Sequence, residues 1–386
     1  MKPFFTTLLL TLLGVAFVNR WVDPSYHWNS PLPPQGWGEK SLIDTPLSFD
    51  QVRFKLNLID LQETPDWLIV GSSRAKIYSA GMFKGARVYN ASVDGNSVED
   101  VMAIWQRLKD RGKIPKSILF EVDPWSYSQW IEGSGDRMRR RLVDRFKLAE
   151  FRSKSPILGG VLGFYSENVN YAIGELSEIV SLVTLRASVT TLRHRVRGEW
   201  TASPVVGPYP EQEETTQYDS GRVYWRFDGS EWHVERGRDL AGAVEEVKAY
   251  FRSDHWSLRN TIFHDPVTTD KFRLVLKDMV NQGSHVVILS PPYHPYSAEE
   301  VKGYPKIQKA METSAEITHS LATELGLKEC DFTFKTPLCE SHEFANRNHL
   351  QPVCAQKVLR ACLEKEFSLL DFSRVPKTPE LLVPVR

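Results

Sequence analysis

Asp66-Trp67-Leu68-Ile69-Val70-Gly71-Ser72-Ser73-Arg74 is the stretch that decides the fold. Leu68, Ile69 and Val70 form an unbroken apolar run, the pattern of a short strand covered on both faces. Gly-Ser-Ser ends the run sharply, and a helical stretch is expected from near Arg74. A hydroxyl at the carboxyl end of the first strand of an open α/β sheet sits where such sheets bind ligands. A helix N-terminus beside it would offer free backbone N–H groups to an oxyanion. Ser73 is therefore a candidate nucleophile, although turns rich in Gly and Ser are common.

Working outward, Arg87 to Ala91 reads as a second short strand, Ser97 to Lys109 as an amphipathic helix and Ser117 to Asp123 as a third strand. The alternation stops and then resumes. Thr268 to Gln282 reads as a helix, His285 to Ser290 as an apolar strand and Ile307 to Leu325 as a long helix. Leu327 to Phe332 reads as a final strand and His349 to Leu363 as a closing helix. This order predicts an α/β fold: a three-layer α/β/α sandwich with a mostly parallel sheet, built from residues 61–130 and 265–370.

Residues 131–264 are expected to form a largely helical insertion or cap. Asp136 to Lys154 is dense in Arg and Lys, which reads as a solvated helix surface, with anionic lipid or polymer as the sharper alternative. Ile157 to Leu192 looks helical. Arg197 to Tyr218, with Pro204, Pro208 and Pro210, looks like a loop, and Arg222 to Phe227 followed by Asp228-Gly229 like a strand and turn.

The chain has 386 residues, 41% hydrophobic and 25% charged, which is ordinary globular composition with ample core material. Its formal net charge is zero, so nothing global points to nucleic acid or an acidic polymer. The eleven Trp read foremost as core material.

The N-terminus sets the compartment. Lys2 precedes an uncharged apolar run from Phe4 to Val18, about 22 Å of helix, which Trp21 and Val22 extend while Arg20 snorkels. Gly14-Val15-Ala16 offers small residues to a signal peptidase, but cleavage there leaves a very short apolar core. Residues 1–22 are therefore read as a retained signal anchor. Lys2 would face the cytoplasm and the body would lie outside the inner membrane, in the periplasm or at the cell exterior. Residues 23–60, rich in Pro, Trp and Asn, read as a linker, and 371–386 as a C-terminal tail.

The four cysteines are Cys330, Cys339, Cys354 and Cys362. An even count in an exported chain permits disulfides, with three pairings, while four buried free thiols are the alternative. Cys354 and Cys362 lie about 12 Å apart on a helix, too far to pair with each other. The spacing of the four is not that of a zinc site and they lack a CxxC. No metal or organic cofactor is expected elsewhere in the chain.

A nucleophilic serine needs a base. His349 stands out among the ten histidines, in Phe344-Ala345-Asn346-Arg347-Asn348-His349-Leu350-Gln351-Pro352, after the last strand. At this point the arrangement resembles the SGNH/GDSL hydrolase superfamily. Gly71-Ser72-Ser73 stands where the family has Gly-Asp-Ser. Asn90-Ala91-Ser92-Val93-Asp94-Gly95-Asn96 resembles the second block, and Asn346 to Leu350 resembles the last block, Asp-x-x-His-Leu. The Gly-Ser-Ser-Arg form and the anchor look most like membrane-anchored envelope members. Those resemble the alginate O-acetyltransferase proteins and the D-alanyl-transfer protein of teichoic acid modification.

The resemblance implies Ser73 as nucleophile, His349 as base and Asn346 at the acid position. It also implies an oxyanion hole from the N–H groups of Ser73 and Gly95. Two departures stand out. Asn346 replaces an Asp; it can hold an imidazole tautomer but cannot stabilise the imidazolium by charge, so Glu343 or Asp331 is a possible substitute. Asp123-Pro124-Trp125 replaces the usual Gly-x-Asn-Asp, leaving Asn96 or Arg74 to supply the side-chain oxyanion donor. Arg74, Asp123 and His294 are candidate substrate-binding residues. For Arg74 a pairing with Asp123 is the alternative, and for His294 a rigid, Pro-locked turn.

The expected function is ester chemistry on an envelope polysaccharide, by O-acyl transfer or deacylation through a seryl ester. The anchor and the resemblance lean towards transfer, with a multi-span membrane acyltransferase as donor. The alternative from another class is an inactive glycan-binding or scaffold protein of an envelope complex.

Overall fold

The computed structural model describes residues 2–23, 41–46, 50–83, 85–128, 137–154, 179–197, 205–208, 222–232, 240–253, 255–334 and 338–363, with 169, 173, 176 and 177. The helices, in chain order, begin with α1 (Lys2–Val22), α2 (Gln51–Leu61), α3 (Val98–Asp110), α4 (Arg137–Lys154), α5 (Leu182–Val196) and α6 (Leu240–Arg252). They continue with α7 (Trp256–Thr261), α8 (Pro266–Asn281), α9 (Pro295–Glu300), α10 (Pro305–Leu325) and α11 (Pro352–Leu363). The strands are β1 (Ser41–Pro46), β2 (Trp67–Val70), β3 (Val88–Asn90), β4 (Ser117–Glu121) and β5 (Val205–Pro208). They end with β6 (Arg222–Trp225), β7 (Glu231–Trp232), β8 (His285–Ser290) and β9 (Lys328–Asp331).

Strands β3-β2-β4-β8-β9 form one all-parallel sheet in that order, and helices flank it as an α/β/α sandwich. The first and third of these strands, β2 and β4, are neighbours, and β3 lies outside them. The order therefore reverses at β2 and β4, and ligands of doubly wound sheets bind at the carboxyl ends of such a pair. Side chains alternate strictly across the sheet. Leu68, Val70, Ile118, Phe120, Val286 and Ile288 face α2, α3, α4, α8 and α10. Trp67, Ile69, Leu119, Val287 and Leu289 face the turns at 75–83 and α11. Burying one side chain such as Phe120 contributes about 1.5–3 kcal/mol, and neighbouring strands repeat that gain.

Several boundaries differ from expectation. The linker over 23–60 contains a helix: α2 buries Val52, Phe54, Leu56, Leu58 and Ile59 in the core. Asp50 caps it by accepting from Arg53 N–H. Within the insertion over 131–264, the Arg-rich helix has a buried face as well as a solvated one. Helix α4 packs on α3, with Leu142, Val143 and Phe146 in the core and Arg139 paired to buried Asp100 at 2.8 Å. The strand and turn expected at 222–229 are present as β6 and its hairpin turn, while Val205–Pro208, expected in a loop, is a strand. β5, β6 and β7 join β1 in an antiparallel sheet ordered β5-β1-β6-β7. Its β6–β7 hairpin docks on the body: Trp225 packs against Phe54, and buried Lys55 donates to Asn90 O (2.8 Å) and to Gly229 O. Burial, then Lys76 nearby, pushes the Lys55 pKa well down. The tail at 371–386 and most of the Pro- and Trp-rich stretch after Asp23 lie outside the described residues.

Helix α1 has 21 residues and is about 31 Å long, enough for a membrane anchor or a signal sequence. The cysteines form two bridges, Cys330–Cys362 and Cys339–Cys354. This is one of the two pairings left once Cys354 and Cys362 are barred from each other.

Candidate active site

The site begins where β2 stops. The helix expected near Arg74 is a single 3-10 turn, Ser73–Ala75, so no helix macrodipole supports the serine. Ser72 caps the turn by accepting from Arg74 N–H at 3.1 Å, and Ser72 N–H donates to Glu121 Oε2 at 2.6 Å. Gly71 is required by close approach. A Cβ there would stand 2.3 Å from Glu121 Oε2 and 2.6 Å from Glu121 Cβ. The turn is thus pressed onto β4.

Ser73 Oγ lies 2.8 Å from His349 Nε2, and His349 Nδ1 lies 2.9 Å from Asn346 Oδ1. The same Oδ1 accepts from the backbone N–H of His349 (3.0 Å) and of Asn348 (3.1 Å). Those two donors fix which amide atom is oxygen. Nδ1 must then carry the proton, leaving Nε2 as an acceptor for the Ser73 hydroxyl. The chain therefore brings Ser73, His349 and Asn346 together, although they are read from opposite ends of the fold.

His349 precedes α11 instead of opening it, because Pro352 starts that helix. Its loop is held tightly. Phe344 and Leu350 pair across it, and Ala345 N–H donates to His349 O at 2.9 Å. The Cys339–Cys354 bridge closes it from outside. Arg347 donates to Glu246 (3.1 Å) and to His255 Nε2 (3.1 Å) and lies over the Tyr250 ring. In this way α6 and the residue before α7 brace the histidine loop from the insertion.

The proposed substitutes for the acid are engaged elsewhere. Glu343 pairs with Lys357 at 2.6 Å, and Asp331 accepts from Thr333 N–H at 3.0 Å. Asn346 itself is the third member.

Arg74 and Asp123 do not reach substrate. Both side chains are 0% exposed and pair at 2.5 Å. Arg74 Nε donates to Asn348 O (2.9 Å), and Nη2 to Pro291 O (2.9 Å) and Pro292 O (2.6 Å). Its guanidinium stacks 4.3 Å over Tyr293. All of its donor nitrogens are engaged, so Arg74 is not the oxyanion donor either. It ties the nucleophile turn, β4, the end of β8 and the histidine loop into one unit. Burial works against its charge, but Asp123 first, with Tyr293 and Glu121, more than offsets this and holds the pKa above the usual value. Burial, then Asp123, holds the Glu121 carboxyl well above the usual range, against Arg74 and Ser72 N–H.

His294 is also structural. It is 1% exposed, caps α9 by accepting from Tyr296 N–H (3.3 Å) and sets its ring edge against Phe344. Burial lowers its pKa and keeps it neutral.

The second block lies beside the serine. Asn90 Nδ2 donates to Ala75 O and Tyr78 O, both at 2.8 Å, and holds the turn after the nucleophile. Val93 N–H donates to Gly71 O at 3.1 Å, stitching the loop of Gly95 and Asn96 to the serine turn. Gly95 has φ +58°, the left-handed region that favours glycine. Among the described residues, no acceptor engages Ser73 N–H, Gly95 N–H or the Asn96 amide. Among the described residues, no three His, Cys, Asp or Glu side chains gather as a metal site.

Sequence reasoning missed Glu121 and the insertion brace. Glu121 had a signal, a lone acid between the apolar run Ile118-Leu119-Phe120 and Val122. Glu246 and His255 had none, since their roles depend on long-range packing. No protein-family model and no curated protein matches the sequence.

Proposed function

We propose that this chain is a serine-dependent esterase or O-acyltransferase acting on an envelope glycan, resembling the SGNH hydrolases. The observation that carries the reading is the Ser73–His349–Asn346 relay, with its tautomer locked by backbone donors. Ser73 Oγ attacks the acyl carbonyl and passes its proton to His349 Nε2. Ser73 N–H, Gly95 N–H and the Asn96 amide receive the oxyanion. His349 returns the proton to the departing alcohol as the C–O bond breaks, which leaves the seryl ester. Water or a glycan hydroxyl then attacks that ester, with His349 again as base. These residues serve hydrolysis and transfer alike, since the two differ only in the acceptor.

The anchor reading of α1 and the two disulfides support an extracytoplasmic place, outside the inner membrane. An envelope polysaccharide as acceptor and a membrane-bound acyltransferase as donor follow from the family resemblance.

The test is covalent labelling with a fluorophosphonate, read by mass spectrometry on the Ser73 peptide. Wild type should label, and Ser73→Ala and His349→Ala should not. Absence of labelling at every pH, beside a labelled control esterase, would reject the enzyme in favour of an inactive glycan-binding protein.

A further inference from the structure

We infer that α5 and the residues just before it lie in the interface of an anionic lipid membrane, alongside α1. The inference rests on α1 being the retained anchor proposed above.

The first observation is how α1 ends. Its Asn19 is fully buried, and its Nδ2 donates to Ile179 O (3.0 Å) and Ser181 O (2.9 Å). Ser188 Oγ, on α5, donates to Asn19 Oδ1 at 3.2 Å. Val22 and Asp23 are buried as well. The remainder of α1 is exposed along Phe5, Leu9, Leu13 and Phe17, and Trp21 stacks on Phe17 in the manner of an interfacial aromatic. The end of α1 that leaves the bilayer is therefore fastened by one hydrogen bond to α5 and by two to the residues just before it. Wherever α1 exits the lipid, α5 is at the same level.

The second observation is the surface α5 presents there. Its Ser188 and Thr191 are buried on the side that holds α1. Its opposite side exposes Leu182, Val189 and Val196, each seven residues apart and hence in one stripe. Leu182 is 74% and Val196 86% exposed. Arg186 and Arg193 are exposed on the same side, between those aliphatics. Just upstream, Val169, Ile173, Leu176 and Val180 repeat at helical spacing and are also exposed. No Asp or Glu occurs from Ile179 to Arg197.

Water is a poor solvent for such a surface. A lipid interface suits each part of it: the aliphatics enter the acyl boundary and the arginines reach lipid phosphates. Glu175 and Glu178 lie upstream, but from Ile179 to Arg197 the only charges are positive, which anionic headgroups suit. Continuity with α1 selects lipid over a protein partner as the occupant. The body would then be seated on the membrane at a fixed height, instead of swinging on a linker.

All four native cysteines are bridged, so an added cysteine is the lone thiol. Full-length Leu10→Cys, Val189→Cys and Lys309→Cys would each carry a bimane label, in vesicles of phosphatidylcholine and phosphatidylglycerol containing a lipid with a nitroxide high on its acyl chain. Lys309, exposed on α10, is the aqueous control. We expect Leu10 and Val189 probes to be quenched at least about twofold more than the Lys309 probe. Arg186→Gln with Arg193→Gln should weaken quenching at Val189 and leave Leu10 unchanged. Quenching at Val189 equal to Lys309, with Leu10 quenched, would overturn the interface helix and spare the anchor. Shielding of Val189 from both lipid nitroxide and aqueous iodide would overturn it in favour of a protein cover. An unquenched Leu10 would overturn the anchor and the inference with it.

Discussion

Asn346→Asp places a carboxylate where the relay has a neutral amide, and the structure sets the size of the effect. Asn346 Oδ1 already accepts from His349 Nδ1 at 2.9 Å and from two backbone N–H groups at 3.0 and 3.1 Å. A carboxylate oxygen would meet the same three donors, so the ring need not move. Only charge changes. Unit charges about 4 Å apart attract by about 4 kcal/mol at an effective dielectric of 20. Both residues are half-buried and Arg347 is adjacent, so we take half of this, about 2 kcal/mol, for the imidazolium of the transition state. That converts to roughly 30-fold in acylation rate. The carboxylate also favours the protonated ring in the free enzyme, so the acid limb of kcat/KM moves to higher pH and the gain is read on the alkaline plateau. Asn346→Ala instead frees the ring and should cost about 10²–10⁴ in rate. The assay is p-nitrophenyl acetate hydrolysis from acid to alkaline pH, with nitrogen-15 NMR of the His349 ring alongside. A plateau rate for Asn346→Asp no higher than wild type, with the fold intact, would refute the charge argument. A wild-type ring protonated on Nε2 would refute the tautomer argument even without turnover.

Arg74→Met should lower unfolding free energy in urea by about 3–5 kcal/mol, because it strands the buried Asp123 carboxylate and removes the donor to three carbonyls. A loss below about 1 kcal/mol would show that the network carries no such strain. Glu121→Gln should flatten the pH dependence of stability. Burial and Asp123 raise the Glu121 pKa above the unfolded 4.5, so the folded state keeps a proton that the unfolded chain releases. Its stabilisation is complete below pH 4.5 and is lost as pH rises through the folded pKa, a slope that urea titrations of wild type should show and Gln should abolish. Cys339→Ser with Cys354→Ser opens the bridge around Asn346 and His349. It spans 15 residues, so thermal unfolding should register about 3 kcal/mol, and Ser73 labelling should slow.

The parallel sheet was legible because runs such as Leu68-Ile69-Val70 and Val286-Val287-Ile288-Leu289 are short, apolar and bounded. Ser73, His349 and Asn346 were legible because each sits at a strand end or in a local block. Helix α2 was not, since its buried face includes Lys55 and Asn57, which imitate linker polarity until Asn90 O and Gly229 O receive the ammonium. The solvated surface of α4 was legible in Arg140, Arg141 and Lys147, but its buried face was not: Leu142, Val143 and Phe146 go inward and Arg139 finds Asp100. The pairing of Arg74 with Asp123 was among the readings of that residue, but its carbonyl contacts were not. Its carbonyl partners lie 217, 218 and 274 residues away, where no local pattern reaches.

A neutral third residue weakens the base, and the surroundings show what is preserved in exchange. Backbone donors fix Asn346, Arg74 holds Asn348 O, Arg347 grips the insertion and a disulfide closes the loop. Geometry is retained at each link while charge is withheld. On the proposed function, this bears on what intercepts the acyl-enzyme. Water and a glycan hydroxyl need the same base, so weakening it slows both attacks by a similar factor. A bound acceptor still gains from orientation, which reaches effective molarities of about 10⁵ M or more. Loss of charge alone therefore does not choose between transfer and hydrolysis. On that proposal occupancy of the acceptor site would choose, because a bound and oriented hydroxyl would take the acyl group ahead of water.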